Sequence, residues 1–178
     1  MRIIGGKYRG RTLVPFKGED VRPTADRTKE ALFNILAPEI SGANMLDLFC
    51  GSGSVGLEAI SRGADLVVFN DASRDSLAIL EKNLALIREK ESAKIYNLDY
   101  RALLQRLDIT FDIIFLDPPY KSDAGEDALR LIAERKLLNT GGIAVLESDR
   151  PFEGEIPQLV KYDERRYGIA RLTFFTPD

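Results

Sequence analysis

Five short apolar segments, separated by helical patterns, occupy most of the chain after residue 44. The apolar segments are NMLDLF (44–49), DLVVFN (65–70), AKIYNL (93–98), FDIIFL (111–116) and GIAVLE (142–147). The helical patterns cover residues 54–62, 73–89, 100–106 and 125–136. Continuous apolar strands that alternate with helices are typical of a parallel sheet covered on both faces. The sequence therefore predicts an α/β fold with a mostly parallel sheet.

The two ends of the chain depart from this alternation. Residues 2–16 alternate loosely between glycines and predict a short hairpin or an extended arm. The segment ADRTKEALFNIL (25–36) has helical periodicity, and Thr24 is the expected N-cap of that helix. Near the carboxyl end, two strand patterns flank Tyr167-Gly168, which predicts an antiparallel hairpin that completes the sheet.

The chain has 178 residues, which is the length of one domain. We expect a single domain with a basic arm over residues 1–22, a helix within 23–43 and the α/β core over 44–178. No apolar run approaches the roughly 20 residues of a membrane span, and the N-terminus MRIIGGKYRGR has no signal-peptide core. We therefore expect a cytoplasmic protein without a membrane partner.

Histidine is absent from the sequence, and Cys50 is the only cysteine. This composition excludes an internal disulfide and histidine-based catalysis, and we expect no metal centre because the commonest ligand is missing. Cys50 has no base near it in the sequence, so we interpret it as a packing residue.

Charge is distributed unevenly along the chain. Residues 1–29 contain eight Lys or Arg and three acids, a local net charge of +5. The remaining residues contain 17 basic and 25 acidic side chains, a net charge of −8. A basic end on an acidic body indicates that a polyanion docks at one end of the molecule.

A glycine-rich loop joins the first apolar strand to the helix that follows it. In DLFCGSGSVG (47–56), Gly51, Gly53 and Gly56 satisfy the pattern GxGxxG. This pattern lets the backbone approach a ligand closely and directs the amides of a helix N-terminus at it. Asp71 closes the next strand, 20 residues after Gly51, where a carboxylate can accept hydrogen bonds from ribose hydroxyls. To this point a dinucleotide and S-adenosylmethionine fit equally well.

Asp47 favours S-adenosylmethionine, because an acid four residues before Gly51 can hold an ammonium group that a nicotinamide cofactor lacks. The alternative is that Asp47 only caps the turn that follows. Asp99 and Tyr100, at the end of the third strand, could contact adenine, although Asp99 could equally cap the next helix. Phe49, inside the loop segment, is a further candidate for donor binding.

The tetrapeptide Asp117-Pro118-Pro119-Tyr120 follows the fourth strand, on the same sheet edge as the glycine loop. A carboxylate and a carbonyl fixed by prolines are both acceptors, which suits an exocyclic amino group with two hydrogens to donate. Such a grip can free the nitrogen lone pair for attack on a sulfonium methyl, so that positioning and electrostatics replace a strong base. Tyr120 offers a face for stacking a base. The alternative is a proline-rich strand end with Tyr120 as core filler.

Four segments resemble, in this order, the bacterial 16S rRNA guanine-N2 methyltransferases of the RsmD type. They are RIIGGKYRGRTL, RPTADRTKEALFNIL, LDLFCGSGSVGLEAISRG and FDIIFLDPPY. The resemblance implies the Rossmann-like class I S-adenosylmethionine-dependent methyltransferase fold, with seven strands of which the last is antiparallel. It also implies S-adenosylmethionine as cofactor and, as substrate, the N2 amine of a guanine in small-subunit rRNA, presented in the 30S subunit or its precursor.

The resemblance also implies roles for individual residues. Asp47, Gly51 and Gly53 would bind the amino-acid end of the donor, Asp71 would bind its ribose, and residues 117–120 would hold the target base. The basic residues expected to contact RNA phosphates are Arg2, Lys7, Arg9, Arg11 and Arg22. The segment Arg22-Pro23-Thr24 is expected close to the donor, and we include Thr24 among the donor-binding residues. The chain departs from the expected pattern in its pI of about 5.2, which is low for an RNA enzyme, and in its single acid at the ribose position.

Two other functions fit part of this pattern. A DNA adenine or cytosine amino-methyltransferase shares DPPY, but the chain has no room for a separate target-recognition domain. A non-catalytic assembly factor that binds RNA and retains a donor site is the alternative from another class. Protein glutamine methyltransferases resemble NPPY rather than DPPY at this position.

Overall fold

The computed structural model describes residues 1–16, 23–119 and 122–178, with side chains except those of residues 23–25. Five helices occur in these ranges: α1 (Pro23–Ile40), α2 (Ser54–Ser61), α3 (Arg74–Ile87), α4 (Tyr100–Arg106) and α5 (Ala124–Glu134). The strands are β1 (Asn44–Asp47), β2 (Leu66–Asn70), β3 (Ala93–Tyr96), β4 (Phe111–Leu116), β5 (Leu138–Ser148), β6 (Leu159–Tyr167) and β7 (Ala170–Pro177). None of the helices described is long and apolar enough to span a membrane.

The seven strands form one sheet in the order β3-β2-β1-β4-β5-β7-β6. Strands β1 to β5 run parallel, and β7 is antiparallel to both of its neighbours. The predicted α/β fold, with its mostly parallel seven-stranded sheet and antiparallel last strand, is therefore confirmed. The predicted antiparallel hairpin of β6 and β7 is confirmed, with its turn at Gly168-Ile169, one residue later than predicted, and a positive φ of 64° at Gly168.

Most element boundaries lie within two residues of the sequence-based expectation, and the larger differences are in α1 and β5. Helix α1 begins at Pro23, so Thr24 is the second residue of the helix rather than its N-cap, and the helix ends at Ile40. Proline suits the first helical position because its fixed φ is helical and its missing N–H would have no partner there. Strand β5 begins at Leu138, four residues earlier than predicted, because an irregular register beside β4 accommodates the two glycines of NTGG.

Buried apolar side chains form one cluster on each face of the sheet. Helices α1, α2 and α3 pack on one face against Met45, Phe115 and Val145. Helices α4 and α5 pack on the opposite face against side chains such as Leu46 and Ile114. Successive side chains in a strand point to opposite faces, so these two clusters show which face each later strand residue joins.

The N-terminal arm is docked on α2 through a buried carboxylate. Glu58, which is 0% exposed, accepts hydrogen bonds from the backbone N–H groups of Ile4 and Gly5, each at 2.8 Å. It also accepts one from Arg62 Nε at 2.8 Å, and Lys29 Nζ lies 3.8 Å away. A desolvated carboxylate is stable only when its oxygens are paired in this way. The arm therefore has a fixed position, closed as a hairpin by the bridge between residues 2 and 12.

Replacing Glu58 with Gln should release the arm. The NH₂ group of the Gln carboxamide would face the backbone N–H of Ile4 or Gly5, so two donors would meet and one hydrogen bond would be lost. We expect a loss of about 2–4 kcal/mol in the free energy of unfolding, measured by urea denaturation, with faster hydrogen exchange at these two amides. The matched control is Glu126→Gln, which breaks an exposed ion pair with Arg130 and should change stability by less than about 0.5 kcal/mol. Equal losses in the two variants would contradict the docking role of Glu58.

Candidate active site

Three acidic side chains meet at the carboxyl ends of the central strands. Asp47 ends β1, and its register partner in β4 is Phe115, which in turn pairs with a valine of β5. Asp117 lies two residues after Phe115, and Glu147 lies two residues after that valine. Both acids are therefore on the face of the sheet covered by α1. All three acids line a single cavity. The alignment of parallel strands therefore brings together acids that are 30 to 100 residues apart in sequence.

Two adjoining cavities open at this edge and share Phe49, Gly51 and Asp117 in their walls. The Asp47 cavity, of about 190 Å³, is also lined by α1 residues such as Lys29 and by Glu147. The Asp71 cavity, of about 530 Å³, is lined by the ends of β2 and β3 and by Pro118 and Pro119. The volume of the Asp71 cavity lies within the range of about 300–1,000 Å³ that is usual for small-molecule sites.

Two glycines of the loop lack a side chain for different structural reasons. Gly51 has a φ of 53°, and a Cβ placed on it would meet no atom within 4 Å, so the backbone faces open space in both cavities. A Cβ on Gly56 would lie 2.2 Å from a ring carbon of Phe69, which shows how closely α2 packs on β2. One glycine therefore leaves room for a ligand, and the other allows helix and strand to pack closely.

Asp47 is 1% exposed, and its Oδ2 accepts the N–H of Gly56, in the first turn of α2, at 3.0 Å. Burial raises the pKa of Asp47 to about 7, the nearby charge of Asp71 adds to the increase, and the hydrogen bond from Gly56 opposes it. The capping role that we considered as an alternative is thus present, and Asp47 also lines the cavity. A cationic ligand beside it would relieve the unfavourable ionisation.

Asp71 lies half-buried in the wall of the larger cavity and accepts two backbone hydrogen bonds. Its Oδ2 accepts the N–H of Gly51 at 2.9 Å, and its Oδ1 accepts the N–H of Ser73 at 2.8 Å. These bonds fix the loop to the end of β2. Each carboxylate oxygen has a second lone pair, so Asp71 retains the capacity to accept hydroxyl groups of a ligand.

Asp99 and Tyr100 also lie in the wall of the Asp71 cavity. Asp99 accepts the N–H of Arg101 at 2.9 Å and so caps α4, as the alternative interpretation required. The Tyr100 hydroxyl donates to Asp127 at 2.8 Å, and burial, together with that carboxylate, raises the pKa of Tyr100 to about 12. The Tyr100 ring lies 5.4 Å from the ring of Phe49, and the two rings form an aromatic wall beside the glycine loop.

The turn after β4 presents Asp117 as an exposed residue in the walls of both cavities. Pro118 is half-buried, and the carbonyl of Pro119 accepts the Ser122 hydroxyl at 2.7 Å, which closes the turn. Tyr120, predicted to stack a base, lies outside the described residues.

The predicted RNA-contacting residues of the arm are all exposed where the structure describes them. Arg2, Lys7, Arg9 and Arg11 belong to this set. The Lys7 ammonium donates to Glu89 at 2.7 Å, so part of its charge is already paired within the protein. Arg22 and the side chain of Thr24 lie outside the described residues.

Lys29 was not predicted as a site residue, although its position in the helix indicated a specific role. It is 5% exposed and lines the Asp47 cavity, and its Nζ donates to the carbonyl of Arg2 at 2.7 Å and to the hydroxyl of Ser54 at 2.9 Å. Burial lowers the pKa of this ammonium, and Glu58 opposes the decrease. Lys29 precedes the buried Leu32 by three residues, and a lysine on the buried face of an amphipathic helix indicates a specific role.

Glu147 was also not predicted as a site residue, because a polar residue at the end of the strand GIAVLE is common. It is half-buried beside Asp117, and burial raises its pKa to about 7. A strongly perturbed acid in a cleft is a candidate functional residue. Its position at the end of a strand could have identified it as a site residue, since the carboxyl ends of neighbouring parallel strands meet at the same edge.

Asn83 in α3 ties the arm to the glycine loop. This fully buried side chain accepts the N–H of Val14 at 2.7 Å, and it donates to the carbonyls of Val14 at 3.1 Å and Ser52 at 3.0 Å. The basic arm and the two cavities are therefore neighbouring parts of one hydrogen-bonded unit. Within the described ranges, no cluster of His, Cys, Asp or Glu is arranged to hold a metal ion.

Comparisons with known proteins give matches over nearly the whole chain. A family model described as Conserved hypothetical protein 95 matches residues 1–176. The Ribosomal RNA small subunit methyltransferase D of Haemophilus influenzae is 39% identical over 154 residues, which cover 84% of this chain and 79% of the relative. The Bacillus subtilis protein YlbH is 36% identical over 182 residues, 98% of each chain. The solved structure of yhhF from Escherichia coli has a TM-score of 0.90 at 32% identity and covers 100% of this chain and 98% of that one.

These matches agree with the motifs and with the observed topology. The strand order and the mostly parallel seven-stranded sheet are those of the class I S-adenosylmethionine-dependent methyltransferase fold. The fold and the relatives also agree with S-adenosylmethionine as the cofactor. The chain therefore belongs to the RsmD-type methyltransferase family.

Proposed function

We propose that this protein transfers a methyl group from S-adenosylmethionine to the exocyclic N2 amine of a guanine in small-subunit rRNA. The observation that carries the proposal is the meeting of Asp47, Asp71 and Asp117 in two adjoining cavities at one sheet edge. A donor site and an amine-holding turn are thus neighbours. The name of the Haemophilus influenzae relative supports rRNA as the substrate.

The charges around the Asp47 cavity fit the amino-acid end of the donor, which has a sulfonium, an ammonium and a carboxylate. The acids that line this cavity are Asp26, Asp47, Asp117 and Glu147. Lys29 is the only lysine or arginine among the described residues of its wall. Two of its N–H groups bind Arg2 and Ser54, and we assign the third to the carboxylate, at the positive N-terminal end of α2.

The Asp71 cavity fits the adenosine end of the donor. Its acids can accept ribose hydroxyls at Asp71 and the adenine amine at Asp99, and Phe49 and Tyr100 supply an apolar wall. The backbone of Gly51 separates the two ends, where absence of a side chain permits close approach. With the donor divided in this way, its methyl group would lie near Asp117, which lines both cavities.

The residues after β4 would activate the amine. S-adenosylmethionine supplies an electrophilic methyl group when bound. The Asp117 carboxylate and the Pro118 carbonyl accept the two amine hydrogens and so orient the nitrogen lone pair, which an aromatic ring otherwise delocalises. Methyl transfer forms an N–C bond while the S–C bond breaks, and the nitrogen then loses one proton, which the Asp117 carboxylate can accept.

The arm would hold the RNA beside this site. Arg2, Arg9 and Arg11 are exposed, and Met1 lines the Asp47 cavity, so the basic surface begins at the cavity entrance. Asn83 fixes the arm to the glycine loop. Phosphate contacts from this surface would explain how an acidic protein binds a polyanion.

Asp117→Asn should abolish most methyl transfer and preserve donor binding. We expect kcat to fall by about 10²–10³-fold, because a neutral carboxamide accepts the amine hydrogens more weakly than a carboxylate and cannot take the proton that the nitrogen loses, with the Kd for S-adenosylhomocysteine unchanged. The assay uses labelled donor and small ribosomal subunits from cells that lack the gene, with the methylated nucleotide identified by mass spectrometry. The control Asp108→Asn changes an exposed acid three residues before the start of the same strand.

Several outcomes of that assay would reject the proposal. Wild-type protein that binds S-adenosylhomocysteine and leaves the subunits unmethylated would favour the non-catalytic assembly factor. Transfer to DNA in preference to the subunits would favour a DNA amino-methyltransferase. Turnover by Asp117→Asn equal to that of Asp108→Asn would remove Asp117 from the catalytic residues.

Asp47→Asn should make the protein more stable and weaken its binding of the donor. A carboxyl group whose pKa is raised by folding binds its proton more tightly in the folded state, so its contribution to stability falls as pH rises from about 3.9 to about 7. The variant lacks this loss, and we expect it to be about 1–3 kcal/mol more stable at pH 8 and equal near pH 4. Calorimetry with S-adenosylhomocysteine should show at least about tenfold weaker binding. Unchanged donor affinity would contradict the assignment of Asp47.

Replacing Arg9 and Arg11 with Ala should weaken RNA binding without affecting the donor. Loss of one or two phosphate contacts should reduce the slope of log K against log salt concentration by about 1–2. The control variant replaces Arg106 and Lys136, which are exposed at the amino edge of the sheet. An equal effect of both pairs on the salt slope would contradict a specific RNA-binding arm.

A further inference from the structure

Glu147 and Asp117 are neighbours across two parallel strands. Leu116 of β4 pairs with Leu146 of β5, and each acid is the next residue of its strand. Adjacent strands lie about 4.8 Å apart, and both acids line the Asp47 cavity. A group held by Asp117 therefore has Glu147 at its side, on the same edge of the sheet.

The Glu147 carboxylate differs from the other acids of the site in its pairing. Asp47, Asp71 and Asp99 each accept backbone N–H groups. Among the residues that the structure describes, the Glu147 side chain has no hydrogen bond or ion pair. It is nevertheless half-buried, and burial raises its pKa to about 7. A partly desolvated acceptor without a protein donor is suited to a donor on a ligand.

The chemistry of the bases indicates which ligand group fits beside an amine. In guanine the 2-amino group is adjacent to the ring N1–H, which is a donor. In adenine the 6-amino group is adjacent to N1, and in cytosine the 4-amino group is adjacent to N3, both of which are acceptors. Two neighbouring carboxylates therefore match the amine and ring N–H of guanine, whereas adenine and cytosine would direct a lone pair at one of them.

We propose that Glu147 accepts the N1–H of the target guanine while Asp117 and the Pro118 carbonyl hold its 2-amino group, and that Glu147 thereby selects guanine over adenine and cytosine. This inference rests on the proposed function. It adds the residue that specifies the base, which the DPPY tetrapeptide leaves open because that turn serves any exocyclic amine. A site with a buried acceptor rejects a base that cannot donate to it, because the acceptor is left unpaired.

The competing role for Glu147 is a contact with the ammonium group of the donor, since the same cavity is assigned to the amino-acid end. The two roles differ in what the variant Glu147→Gln changes. A contact with guanine affects the choice of base and leaves donor affinity intact. A contact with the donor weakens S-adenosylhomocysteine binding and leaves the choice of base intact.

The test compares two substrates, small subunits reconstituted with guanine or with 2,6-diaminopurine at the methylated position. Diaminopurine keeps the 2-amino group and has a ring acceptor in place of the N1–H. We expect wild-type protein to prefer guanine by at least about 100-fold in kcat/KM. Glu147→Gln should be slower on guanine by at least about tenfold and should reduce the preference to about tenfold or less, because its carboxamide N–H can donate to the ring acceptor.

Two controls make the result decisive. Glu134→Gln changes an exposed acid at the end of α5 and should retain the wild-type preference. Calorimetry with S-adenosylhomocysteine should give Glu147→Gln the wild-type affinity, which also shows that the variant is folded. An unchanged preference in Glu147→Gln, or a loss of donor affinity beyond about tenfold, would overturn the role of Glu147. Wild-type protein that methylates neither substrate would overturn the proposed function itself, and this inference with it.

Discussion

The parallel alignment of β1, β4 and β5 determines where the acids of the site lie. Their shared direction brings the strand ends carrying Asp47, Asp117 and Glu147 to one edge. Side-chain alternation then directs the acids to the face covered by α1. The connecting helices position these strands, and the glycine loop leaves the edge open where a side chain would close it. The position of the site therefore depends on the strand topology more than on any single motif.

The site concentrates partly desolvated carboxylates, which is unfavourable for the protein without a ligand. Burial raises the pKa of Asp47 and Glu147 to about 7, so both resist ionisation in the folded state. The protein offsets such costs elsewhere by complete pairing, as at Glu58, which holds the arm. Acids that remain imperfectly paired mark the positions where a cation or a hydrogen-bond donor of a ligand would contribute most.

The sequence was sufficient for features that depend on local pattern. Apolar periodicity located the strands of the parallel sheet, and the spacing of the glycines and of DPPY located the edge at which the cavities lie. Asp99 showed the limit of that method, since a helix cap and a ligand contact have the same local pattern, and the structure contains the cap. Lys29 and Asn83 could not be assigned, because their partners in the arm and the loop are 25 or more residues away in sequence.

We infer that the two cavities at this edge are the two halves of one donor site beside Asp117. A crystal structure of the protein with S-adenosylhomocysteine would show where each end of the donor binds. We expect the homocysteine end in the Asp47 cavity, with its carboxylate near Lys29, the adenosine in the Asp71 cavity, and the sulfur on the side of Asp117. A ligand bound outside these cavities, or bound in the reverse orientation, would contradict it.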